Sequence, residues 1–95
     1  MIYGIFCIRD VKTGYMTPTV DLNVDSAIRN FAHSLSVSPS VITSFSRDFD
    51  LYNLGNFDSD SGLVSPLPAP KFVISATDAL SLISREGGVL DADKV

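Results

Sequence analysis

Tyr3, Phe6, Tyr15, Tyr52 and Phe57 fall in stretches of strand-forming composition, and the chain also carries four candidate cations, Arg9, Lys12, Arg29 and Arg47. Aromatic rings exposed on a sheet can stack unpaired nucleic-acid bases, with cationic side chains holding the backbone. Core packing is the commoner use of such rings. The single-strand reading therefore requires Arg9, Lys12, Arg29 and Arg47 to gather near the rings once the chain folds.

Other reactive residue types are present in patterns that carry less. Asp48, Asp50, Asp58 and Asp60 could pair for acid–base or two-metal chemistry, yet all flank turns and strand ends, where carboxylates are usually solvated. Asp58, Asp60 and Gly62 resemble the start of a calcium loop. That loop needs glycine at its sixth position and a bidentate Glu at its twelfth, whereas here the glycine is fifth and Ala69 is twelfth. His33 has no Cys, Asp or Glu three or four residues on, so helical metal-ligand spacing is missing and it reads as a surface histidine. Cys7 lies in an apolar run and reads as a packed thiol. There is no phosphate-cradling glycine loop, no GxSxG and no metal-binding Cys/His set. The expectation is a non-enzymatic protein with no catalytic residue, no metal and no cofactor.

The 95-residue chain is 45% hydrophobic and 19% charged, with seven basic and eleven acidic residues and a net charge of −4. That size suits one domain able to bury its own core, and the apolar balance favours a homo-oligomer, a dimer foremost, in which a second copy covers part of the surface. The bases are scattered singly, so the counterion release behind sequence-independent nucleic-acid binding is weak in the isolated monomer. A folded surface could still gather Arg9, Lys12 and Arg47. Cys7 is the only cysteine, which excludes an intrachain disulfide. The apolar start is too short to span a bilayer and has no basic region before it, so a cytoplasmic protein without membrane association is expected.

These residues must be positioned by a small number of elements. Ile2 to Arg9 is β-branched and aromatic, with Ile2, Gly4, Phe6 and Ile8 on one face and Tyr3, Ile5, Cys7 and Arg9 on the other, the pattern of a central or doubly covered strand. Asp10 to Gly14 turns the chain into a second strand, Tyr15 to Val20, which Pro18 confines to an edge. Val24, Ala27, Ile28, Phe31, Ala32 and Leu35 form the apolar stripe of a helix capped by Asp21 or Asn23 and ending near Ser36 to Ser38, ahead of Pro39. Ser36 to Ser46 reads as a connection with a turn of helix around Ser40 to Ser44. Arg47 to Phe57 is the third strand, with Gly55 a bulge or point of close approach. Asp58 to Gly62 repeats the first turn 48 residues on, and Leu63-Val64 follows. Pro66, Pro68 and Pro70 make an arm before the sheet resumes at Phe72 to Ile74. A short helix opens at Thr77-Asp78 and stops at Gly87-Gly88. The fold class is α+β: a small antiparallel sheet of about four strands, in two hairpins, packed by one long and one short helix. A single domain spans residues 1–86, and residues 87–95 form an acidic tail expected to be flexible.

Ile2 to Asp10 with Lys12-Thr13-Gly14, then Asn23, Ala27, Arg29 and Phe31, then Asp50 to Asp58 with Gly62, occur in an order and at separations that resemble the small nonstructural protein of gokushovirus-type microviruses, which are single-stranded DNA phages. The resemblance covers most of residues 2–64. It implies a phage accessory protein made in the cytoplasm of the host bacterium and absent from the mature virion. The implied role is in single-stranded DNA genome replication, synthesis or packaging, with single-stranded DNA or a phage or host replication protein as partner. On that reading Arg9, Lys12, Arg29 and Arg47 would hold phosphates, and Tyr15 or Tyr52 would stack bases. The acidic balance favours the alternative, a protein-interaction module that regulates a replication factor without touching nucleic acid.

Overall fold

A computed structural model of the chain describes residues 1–37 and 40–83. The strands are β1 (Ile2–Asp10), β2 (Gly14–Tyr15), β3 (Thr19–Asp21), β4 (Phe49–Asp58) and β5 (Val64–Ser75); the helices are α1 (Val24–Val37), α2 (Val41–Ser44) and α3, residues 76–83. The sheet is antiparallel throughout, in the order β2-β1-β4-β5, with β3 also on β1. The fold is thus α+β, and each half runs strand, turn, strand, helix. The expected second strand is broken in two around Pro18, whose ring nitrogen cannot donate to β1. Arg47 lies not in the third strand but in a 3-10 turn, Ser46–Asp48, and β4 begins only at Phe49.

Both turns are built as their sequences dictate. In the first, the Asp10 carboxylate accepts the Lys12 amide (2.9 Å) and the Thr13 hydroxyl (3.1 Å); in the second, the Asp58 carboxylate accepts the Asp60 amide (2.9 Å). Gly14 and Gly62 complete them at φ of 102° and 78°, which a β-carbon would oppose.

The Asp60 amide, aided by Ser61 and the N-terminal ammonium, holds the Asp58 carboxyl below its ordinary value. A depressed carboxyl favours the folded state above its unfolded pKa, and that contribution is lost as pH falls through the lower folded value. Asp58→Ala should therefore melt below wild type at neutral pH, and the two melting temperatures should converge as pH is lowered beneath the usual carboxylate range. A gap that is constant with pH would mean that the turn gains nothing from the charge.

Helix α1 carries the predicted stripe, and Asn23 caps it by accepting the Ser26 amide at 2.8 Å; Asp21 instead binds the Asn30 side chain. The short helix starts one residue earlier than expected, with the Ser75 hydroxyl accepting the Asp78 amide (3.1 Å). Its expected stop at Gly87-Gly88 and the acidic tail at 87–95 lie outside the described residues. Ala27, Phe31, Ala32 and Leu35 of α1 and Ala76 and Ala79 at the start of α3 close over Phe6, Phe49 and Leu51 of the sheet. Small alanines let both helix backbones approach the strands, and the large rings fill what remains. Both helices therefore occupy one face. Among the described residues the helices cover central strand β1 on its Phe6 and Ile8 side, so of the two expected alternatives the structure shows the central strand.

Candidate nucleic-acid interface

The uncovered face is set by the register. Arg9 stands opposite Tyr15 on β2 and Asp50 on β4, Cys7 opposite Tyr52, and Tyr52 opposite Phe72 on β5. Directly opposed residues in an antiparallel pair share a face, so all six project away from the helices. Tyr15 and Tyr52 meet edge to face at 5.6 Å between centroids and 78°, and Tyr52 and Phe72 at 5.9 Å and 84°. The result is a row of three rings across the sheet. Its ends are open, with Tyr15 47% and Phe72 53% exposed. Further along the same face, Tyr3 and Phe57 form a tilted pair at 6.5 Å.

Arg9 closes the row, its guanidinium carbon 6.0 Å from the Tyr15 ring centroid, a distance at the outer reach of cation–π attraction. Cys7 is 2% exposed on the same face as Tyr52, and its thiol donates to the Met16 carbonyl at 3.1 Å. Burial raises the thiol pKa, which keeps it protonated and weakly nucleophilic.

The candidate cations separate into two groups. The Val11 amide donates to the Asp48 carbonyl at 3.0 Å, so the turn bearing Lys12 meets the 3-10 turn bearing Arg47. Arg9 lies one residue from that corner, and the three are thereby brought to one end of the sheet. Asp10, Asp48 and Asp50 share that end, so its charge is mixed rather than basic. Arg29 is elsewhere: it is exposed on α1, lining a groove with Ile28, His33, Leu82 and Ile83 in the helical layer. His33 is exposed. No group of three metal-ligating side chains occurs among the described residues. None of the described helices is long and apolar enough to cross a membrane.

Phe72 is the residue that sequence reasoning missed. An unbroken register from the Asp58–Gly62 turn would set Ala69 opposite Tyr52, but β5 shifts against β4 between the Pro66 and Lys71 pairings and again beside Leu51. The Pro-rich excursion at residues 67–70 therefore slides Phe72 into the row. Three prolines in a strand were the available signal, since proline is tolerated only at edges and bulges.

The fold and this face define a small α+β protein whose sheet, among the described residues, carries its helices on one face and a row of aromatic rings on the other. Residues 3–79 match the Phage ORF5 protein family, and the chain belongs to that family. No curated protein and no solved structure matches the chain.

Proposed function

We propose that this phage accessory protein is the small nonstructural protein of a gokushovirus-type microvirus and acts in single-stranded DNA genome synthesis or packaging by stacking unpaired bases on the open face of its sheet. The observation that carries the reading is the Tyr15–Tyr52–Phe72 row, uncovered by either helix and flanked by Arg9. A duplex keeps its bases stacked inside and offers these rings nothing comparable.

Arg9, Lys12 and Arg47 supply phosphate contacts from the corner of the sheet, while Arg29, in the helical layer, does not take part. Three such contacts on a single strand give a salt slope of roughly −2 in log–log form. Stacking therefore carries more of the affinity than charge does, in keeping with a net charge of −4. The protein works in the host cytoplasm, outside the virion, and as a dimer it presents two such faces.

Fluorescence anisotropy with labelled single-stranded oligonucleotides at low salt tests the reading. Tyr52→Ala and Phe72→Ala should each weaken binding by about tenfold or more, the loss of one stacked base at roughly 1–3 kcal/mol. Absence of binding at tens of micromolar wild-type protein would exclude the DNA role. It would leave the second reading, a module that regulates a replication factor, which the acidic balance and the mixed charge at the sheet corner favour.

A further inference from the structure

Among the acidic residues of the strands and turns, Asp10, Asp21, Asp58 and Asp60 each accept a hydrogen bond from a neighbouring group. Asp50 differs. It stands on β4 between Arg9 of β1 and Ser75 of β5, two residues from Tyr52 and so on the aromatic face. It is half-buried, yet among the described residues no group donates a hydrogen bond to its carboxylate and no cation lies within ion-pair distance of it. Arg9, its cross-strand neighbour and natural partner, lies over Tyr15 instead.

A carboxylate beside the stacking row repels phosphate, so a strand whose backbone runs on the Arg9 side turns a base edge toward Asp50. A carboxylate only accepts hydrogen bonds. Cytosine offers it the N4 amino group, the pairing by which Asp and Glu read that base. Thymine presents carbonyl oxygens on either side of its single ring N–H, and these oppose a negative acceptor. We propose that Asp50 is a specificity-determining residue of the open face, selecting cytosine and other bases with an amino group on the Watson–Crick edge, and discriminating against thymine. The proposal rests on the single-strand reading and adds to it a chemical preference that stacking alone does not produce, because every base has a π-face.

The test compares oligo-dC and oligo-dT of equal length by anisotropy at mildly alkaline pH and low salt, for wild type, Asp50→Asn and Asp50→Ala. Wild type should bind oligo-dC about tenfold more tightly, as expected for a hydrogen bond to a charged acceptor. Asp50→Ala should bring the ratio close to one. In Asp50→Asn the amide donates as well as accepts, so the ratio should fall while oligo-dT binding tightens. If wild type binds both polymers equally, or if both variants keep the wild-type ratio, the proposal is overturned and the single-strand reading stands. If wild type binds neither polymer, the proposal and the reading beneath it fall together.

Discussion

Phe6→Ala should destabilise the protein by about 3–5 kcal/mol, the usual cost of emptying a buried aromatic site. Phe6 is 1% exposed and the largest fully buried side chain of the described residues. It projects from the central strand into the layer where α1 and α3 meet the sheet, in one cluster with Phe31, Phe49 and Leu51. Its ring lies over Gly4: a β-carbon there would collide with Phe6 Cε2 and sit 2.7 Å from Cζ. Strand and helix backbones bound the space on both sides and cannot collapse far into a void. A domain of this size has roughly 5–14 kcal/mol of total stability, so the loss removes a large part of it. Urea unfolding followed by circular dichroism should show a much lower midpoint with an unchanged slope. A loss under about 1 kcal/mol would mean that the helices do not pack on Phe6.

Gly55→Val should cost roughly 3 kcal/mol, at the upper end for overpacking, and its damage should be local to the β4–β5 pairing. Gly55 is buried between Ile5 of β1 and Pro66 of β5. A β-carbon there would run into the Ser65 carbonyl oxygen and stand 2.9 Å from Pro66 Cα. Both obstacles are backbone, so no side chain can swing aside, and the edge strand itself must move. The backbone of Gly55 needs no left-handed conformation; glycine is required for space alone. Amide exchange should accelerate at Asn56, Phe57 and Val64 while the amides of α1 stay protected. Equal acceleration in α1 would show that the strain is not confined to this pairing. Because β5 also carries Phe72, the variant should weaken single-strand binding as well.

The sequence determined what depends on local pattern. The stripe from Val24 to Leu35 placed α1, the two Asp-x-x-Thr/Ser-Gly turns placed the hairpins, and period-two alternation sorted Phe6 and Ile8 from Cys7 and Arg9. Each of these follows from backbone geometry within a few residues, so each is legible in one stretch. Of the two expectations for Gly55, a bulge or a close approach, the close approach holds, and the bulge falls beside it at Leu54.

What only the tertiary structure decided depends on residues far apart in the chain. Periodicity could not say which face of β1 the helices would cover, because both faces are apolar; the choice follows from Ala27, Ala32, Ala76 and Ala79 fitting over Phe6 and Leu51. The meeting of the Lys12 and Arg47 turns rests on one backbone hydrogen bond, Val11 to Asp48. Arg29 was set apart by the same packing that turned α1 stripe-inward. The ring row needed a register slip in a proline-rich edge strand, and among the described residues Asp50 has no ion-pair partner while Arg9 lies over Tyr15. Local sequence specifies elements and the faces they offer, whereas the site arises from which faces are buried against each other, a choice made by volume and register across the whole fold.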